Sequence, residues 1–163
     1  MFVVKPYDRL HAQEYAQRFA LRRNALFPDY EAIGGDCTNF VSQCLYAGAG
    51  VMNFTPELGW YYLSPDDRAP AWTGVIYLHQ FLITNRGPGP FGEERPLSYA
   101  EPGDVVQMSF DGRRWSHTML VTGGGTYPGD ILLATHSYNA FDRPMDTYAY
   151  QLARLIHISG VRA

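Results

Sequence analysis

A cysteine stands where the sequence predicts the start of a helix. In the stretch GGDCTNF at residues 34–40, a Gly-Gly turn leads into the pattern of an amphipathic helix that begins near Asp36. At a helix N-terminus, unpaired backbone N–H groups and the positive end of the macrodipole favour a thiolate and an oxyanion. We therefore expect Cys37 to act as a nucleophile with a lowered pKa.

The second cysteine, Cys44, falls on the apolar stripe of the same predicted helix. A spacing of seven residues places Cys37 and Cys44 about 10 Å apart on one helix face, which is too far for a disulfide. Two cysteines also fit neither a disulfide-rich scaffold nor a four-ligand zinc site. We expect Cys44 to be a buried structural residue.

A thiol nucleophile needs a proton acceptor, which is usually a histidine whose ring is oriented by a third polar group. Among the five histidines, His117 begins one predicted strand and His136 ends the next. If those strands form a hairpin, the two imidazoles lie close together. The alternative use of the same residues is a Cys-His-His metal site made by Cys37, His117 and His136.

The elements around these residues change character along the chain. Helical spacing covers residues 8–26, the stretch from Asp36 to the glycines at 48 and 50, and residues 72–84. Short β-rich runs separated by Gly, Pro and Asp follow: EPGDVVQMSF, WSHTMLVTG, DILLATHSY and ARLIHISGV. This order predicts an α+β fold, with helices packed on one face of an antiparallel sheet and residues 1–163 as one domain.

The stretch between the second and third predicted helices is rich in turn residues and aromatics. Residues 53–71 contain Trp60, Tyr61 and Tyr62, and Trp72 follows directly. Aromatic side chains on a connecting segment either pin it to the body of the protein or line a binding groove. The sequence is compatible with both interpretations, and the one with a functional consequence is a groove wall beside Cys37.

Composition and charge exclude several classes of protein. The chain has 163 residues with a net charge of −3 and no long block of Lys and Arg, so electrostatic binding of nucleic acid is not expected. No apolar run is long enough to span a membrane. The start MFVVKPYDR lacks the features of a secretory signal, so we expect a cytoplasmic protein if Met1 is the native start and an exported one if a signal was removed.

The stretch GGDCTNFVSQCL closely resembles the cysteine motif of the putative amidase domain family, within the papain-like NlpC/P60 and CHAP superfamily. AEPGDVVQMSF, WSHTMLVTG and ILLATHSYNAFDRPM continue the resemblance in the same order. The resemblance implies a papain-like fold in which N-terminal helices pack on a C-terminal antiparallel β-sheet. Thr38-Asn39 stands where many NlpC/P60 relatives carry Ser-Gly, which favours the putative amidase branch.

The resemblance also implies roles for individual residues. Cys37 matches the nucleophile and His117 the general base, and His136 suits the third position, with Asn139 as the alternative. Asp36 is expected to cap the helix. The implied reaction is cofactor-free hydrolysis of an amide through a thioester, on a peptide or small amide that includes peptidoglycan among its candidates. An acyltransferase using the same thioester and a catalytically silent binding module are the alternatives.

Overall fold

In the computed structural model, which describes residues 1–163, four helices accompany a seven-stranded antiparallel sheet, and the predicted α+β class is confirmed. The helices are α1 (Arg9–Phe19), α2 (Cys37–Ala49), α3 (Pro70–Thr73) and α4 (Val75–Thr84). None of them combines the length and apolarity needed to cross a bilayer. All four precede the strands that form most of the sheet, as the order of the sequence patterns predicts.

The strands of the main sheet are β1 (Val4–Lys5), β4 (Gly89–Arg95), β5 (Val105–Ser109), β6 (His117–Gly123), β7 (Leu132–Thr135), β8 (Ala140–Pro144) and β9 (Leu152–Arg162). Their order across the sheet is β1-β9-β5-β6-β7-β8, and β4 also pairs with β9. A separate hairpin is made by β2 (Tyr62–Ser64) and β3 (Asp67–Arg68). The four β-rich runs of the sequence correspond to β5, β6, β7 and β9, and β6 and β7 form the predicted hairpin.

Two predicted helices differ from the observed ones. The first ends at Phe19 instead of residue 26, because the Phe19 carbonyl accepts a hydrogen bond from His136 and the chain then turns at Asn24, whose side chain binds the Leu26 N–H. The third divides into α3 and α4 because Gly74 adopts an extended conformation. The second helix ends as predicted, with Gly50 in the left-handed conformation at its C-terminus (φ 68°).

The core lies between α2 and the inner face of the sheet. Helix α2 is buried along most of its length, and Cys44 is fully buried within it. Strand side chains that alternate along β5, β6, β7 and β9 complete this core: Val105, Leu120, Ala134 and Ile156. Their neighbours face the other side of the sheet and form a second apolar cluster: Val106, Met119, Val121, Leu133 and Leu155. The packing of α2 on β6 brings the start of the helix to the start of that strand.

The aromatic segment after α2 is part of the core, so the groove-wall hypothesis is wrong for Trp60 and Trp72. Both indoles are fully buried. The Trp60 Nε1–H donates to Ser42 Oγ at 3.0 Å, and the Trp72 Nε1–H donates to Asn39 Oδ1 at 3.0 Å. Both bonds pin the segment to α2, because a buried indole N–H must find an acceptor.

Candidate active site

A cavity of about 560 Å³ lies where the first turn of α2 meets the start of β6, and both Cys37 and His117 line it. The Gly34–Gly35 turn and the turn between β7 and β8 form other parts of its wall. In that second turn Ser137 and Tyr138 both have positive φ, 61° and 67°, a strained conformation for residues other than glycine. Strained backbone is common at binding sites, and Tyr138 is 90% exposed at the mouth of the cavity.

Cys37 is the first residue of α2, and its thiol is nearly buried. Burial raises the pKa of the Cys37 thiol, although the neighbouring N–H groups of Thr118 and Thr38 and the Thr38 hydroxyl, 3.8 Å from the sulfur, act in the opposite direction. The expectation of a lowered pKa in the free protein is therefore wrong, because desolvation outweighs the helix N-terminus. The sulfur is held beside the N–H of Thr118, the residue that follows His117.

His117 is buried and hydrogen-bonded through one ring nitrogen. Its Nε2 lies 3.4 Å from Thr135 Oγ1, and the same hydroxyl lies 3.1 Å from the Thr118 carbonyl oxygen and 2.6 Å from that of His136. The Thr135 hydroxyl has one hydrogen, and a carbonyl oxygen can only accept a hydrogen bond, so that hydrogen is donated to a carbonyl. Toward His117 the hydroxyl oxygen is therefore the acceptor, and the ring donates its Nε2–H. This network favours the tautomer whose Nδ1 is free to accept a proton.

The charge state of His117 follows from its surroundings. Burial, with a further contribution from the positive charge of Arg143, lowers the pKa of His117 to about 4. The imidazole is therefore neutral near pH 7. Together with the raised pKa of the Cys37 thiol, this makes the resting pair a neutral thiol and a neutral imidazole, and not a thiolate–imidazolium pair.

His136 faces the opposite side of the β6–β7 hairpin and does not hydrogen-bond to His117. Its Nδ1–H donates to Asp36 Oδ2 at 2.6 Å, and its Nε2–H donates to the Phe19 carbonyl at 2.7 Å. Both ring nitrogens thus face hydrogen-bond acceptors, and His136 links the Asp36 carboxylate to the end of α1. The alternative third residue, Asn139, binds Arg23 through Oδ1 at 3.2 Å and also makes no contact with His117.

Asp36 occupies the N-cap position of α2, but its carboxylate does not cap the helix as expected. It accepts hydrogen bonds from His136, from the Tyr30 N–H at 2.9 Å and from the Asn39 side chain at 2.9 Å. Burial raises the pKa of Asp36, but these hydrogen bonds lower it more, so the pKa lies below its ordinary value. The carboxylate fixes the residue before Cys37 to β7 through His136.

Cys37, His117 and His136 do not form a metal site in the structure, because both ring nitrogens of His136 are hydrogen-bonded to other residues. Groups of metal-ligating side chains do occur around Asp104 and around Asp36: Glu101, Asp104 and His157, and Asp29, Glu31 and Asp36. An arginine lies within each group, Arg9 at 2.8 Å from Asp104 and Arg23 at 3.3 Å from Asp36. These guanidinium groups supply the positive charge that the carboxylates require.

Comparison with known proteins identifies the family. The model described as "Putative amidase domain" matches residues 6–159. The chain belongs to this family. The amidase domain is 32% identical over 117 residues to the uncharacterized protein YhbB of Bacillus subtilis, and 26% identical over 167 residues to the uncharacterized protein YjcM of the same organism.

These alignments cover 71% and 98% of this chain, respectively. The chain spans little more than a third of each relative, 37% of YhbB and 38% of YjcM. No solved structure matches the amidase domain.

Three residues of the site in this amidase domain are absent from the sequence-based prediction: Thr135, Arg143 and Tyr148. Thr135 contacts His117, and the other two line the cavity. Alternation along paired strands could have placed Thr135 on the face of His117, since Val121 pairs with Leu133. Leu133, Ala134, Thr135 and His136 are all buried, however, so hydrophobicity alone does not reveal which of them share that face.

Proposed function

We propose that this amidase domain is a cysteine-dependent amide hydrolase in which Cys37 is the nucleophile and His117 the general base. The observation that carries the proposal is the meeting of Cys37 and His117 in the wall of one cavity, with the sulfur beside the Thr118 N–H. Membership of the putative amidase domain family supports amide hydrolysis as the reaction. The arrangement of a cysteine helix on an antiparallel sheet also supports a papain-like fold of the NlpC/P60 and CHAP type for a single domain of residues 1–163.

In the proposed first step, His117 Nδ1 takes the thiol proton as the Cys37 sulfur attacks the amide carbon. The backbone N–H of Cys37, which has no partner within the helix, stabilises the oxyanion that forms. The C–N bond then breaks, and His117 delivers its proton to the leaving amine. Water hydrolyses the resulting thioester with His117 again accepting a proton, which returns to the sulfur when the acid is released.

The residues around this pair act by holding it in place. Thr135 fixes the tautomer of His117 by accepting the Nε2–H. His136 is a positioning residue in this proposal, because it binds Asp36 and the end of α1 while making no contact with the general base. The burial of His117 keeps its imidazole neutral near pH 7, so the acceptor nitrogen is unprotonated when substrate binds, although the lowered pKa makes the ring a weaker base.

The proposal is tested by incubating the protein with a panel of peptides, small amides and peptidoglycan fragments and identifying the products by mass spectrometry. Hydrolysed products that disappear in Cys37→Ala and persist in Cys44→Ala support it. Products conjugated to an added amine or alcohol instead of water would identify an acyltransferase. Intact substrates across the whole panel, with saturable binding, would identify a silent binding module.

A further inference from the structure

We propose that Arg143 and Tyr148 bind a carboxylate of the substrate in the cavity that holds Cys37 and His117, so that the domain acts on amides of acidic or carboxylate-terminated compounds. This inference rests on the proposed function for the site itself. It adds the chemical class of the substrate.

The first observation is an unpaired positive charge in the cavity wall. Arg143 is half-buried, and it donates through Nε to Thr147 Oγ1 at 2.8 Å and through Nη2 to the Thr147 carbonyl at 2.9 Å. No carboxylate lies within ion-pair distance of it, and its Nη1 donates to no protein atom. No acidic side chain lines the cavity, and His117 is neutral at pH 7, so Arg143 carries the only fixed charge there.

The second observation is the hydroxyl of Tyr148, which is buried beside the arginine and makes no hydrogen bond of normal geometry to a protein atom. The guanidinium carbon of Arg143 lies 3.8 Å from the centre of the Tyr148 ring, and this stacking fixes both groups. Burial raises the pKa of Tyr148 and outweighs the opposing effect of the adjacent Arg143, so the hydroxyl remains a donor. A buried donor without an acceptor is rare in folded proteins unless a ligand or water completes it.

One guanidinium edge and one hydroxyl suit a carboxylate better than a phosphate. A single unpaired cation balances one negative charge, whereas a phosphate monoester carries nearly two at neutral pH. Two donors also match the two oxygens of a carboxylate, and bonds from a charged donor are the stronger kind. Amide substrates provide this group readily, as the C-terminus of a peptide, an acidic side chain or the acid of an N-acyl amino acid.

The test measures alkylation of Cys37 and needs no turnover. The probes are chloroacetyl-glycine, chloroacetyl-β-alanine and chloroacetyl-γ-aminobutyrate, each compared with its primary amide, so that carboxylate and amide arms differ at one group. In each reaction the sulfur displaces chloride, and the rate at Cys37 is followed by peptide mass spectrometry. We expect at least one carboxylate probe to label Cys37 about tenfold or more faster than its amide, as for a charge-assisted hydrogen bond.

Variants assign that preference to the two residues. Arg143→Gln should remove the rate difference between each carboxylate probe and its amide, because any change in the reactivity of Cys37 itself affects both probes equally. Tyr148→Phe should weaken that difference while keeping the ring. The control is Arg114→Gln, which removes an exposed cation from a hollow that adjoins the cavity at Gly34 and Ser116, and which should keep the preference.

Equal labelling by carboxylate and amide probes of every length in the unmodified protein would overturn the carboxylate proposal and leave the proposed function standing. The same holds for a preference that survives in Arg143→Gln. A clear carboxylate preference at a Cys37 that proves unnecessary for amide hydrolysis would support the binding site and contradict the proposed function. No labelling of Cys37 by any probe would overturn both.

Discussion

Asp36 and His136 form a buried hydrogen-bonded pair that ties the residue before Cys37 to the end of β7. The His136 Nδ1 and Asp36 Oδ2 atoms are 2.6 Å apart, and both side chains are only 1% exposed. Through its other nitrogen His136 also holds the last residue of α1. One imidazole thus joins three elements: the start of α2, the end of β7 and the end of α1.

Breaking this pair should destabilise the fold. We expect Asp36→Asn to lower the free energy of unfolding by about 3–5 kcal/mol, because it replaces the buried carboxylate that accepts hydrogen bonds from His136, Tyr30 and Asn39. Urea denaturation of the variant measures the loss, and the Asp36→Asn/His136→Gln double variant is the matched control, since it changes both partners. A loss below about 1 kcal/mol in the single variant would contradict this structural role of the pair.

The neutral state of His117 predicts a specific dependence of stability on pH. The folded-state pKa is about 4 and the ordinary value is 6.5, so between these values the unfolded chain binds a proton that the folded one does not. Stability therefore falls as the pH decreases from about 6.5 to 4, by roughly 3 kcal/mol for this residue. Denaturation midpoints measured across that range should fall more steeply in the unmodified protein than in His117→Gln, and parallel curves would contradict the assignment.

The charge of Arg143 should act on His117 directly. Removing it in Arg143→Gln eliminates a positive charge that lowers the pKa of His117, so the pKa should rise above 4 while staying below 6.5 because the ring remains buried. NMR titration of the labelled imidazole gives this value. An unchanged titration curve would place the guanidinium too far away, or too well solvated, to influence the base.

Thr135 should matter for the reaction more than for the fold. We expect Thr135→Val to lower kcat by about tenfold, since it removes the acceptor that selects the His117 tautomer, and Thr135→Ser to restore most of it. A purely structural role predicts that Ser and Val variants differ in melting temperature with equal kcat. Measuring kcat and melting temperature on both variants separates these cases.

Most of the fold could be predicted from the sequence, but fewer features of the candidate site could. A helix start and a strand start each have a clear local signature, so the positions of Cys37 and His117 in the fold were predictable, and both residues line the cavity. Which residue of β7 hydrogen-bonds to His117 depends on which face of the sheet each side chain occupies. Residues 133–136 are all buried, so the sequence shows no alternation of polar and apolar residues that would reveal those faces. The charge states were also beyond local reasoning, because burial of Cys37 outweighs the helix N-terminus that suggested a thiolate. Arg143 and Tyr148 reach the cavity only through long-range strand pairing.

Trp60 shows the same limit of prediction from sequence, because the composition of residues 53–71 is compatible both with a groove wall and with a core segment. Because the indole is fully buried and bonded to Ser42, we expect Trp60→Ala to cost about 3–5 kcal/mol of stability. The kinetic constants of the folded fraction should stay near those of the unmodified protein. A raised KM with an unchanged melting temperature would return Trp60 to the binding groove.

The central claim is that the Cys37 sulfur becomes acylated during amide cleavage. It is tested most directly by rapid acid quenching of the protein with a cleaved substrate from the panel, followed by mass spectrometry of its peptides. The account predicts an acyl group on Cys37 that accumulates in the unmodified protein and is absent from Cys37→Ala, with Cys44→Ala behaving as the unmodified protein. Amide cleavage that continues in a folded Cys37→Ala, or an acyl group found on another residue, would contradict it.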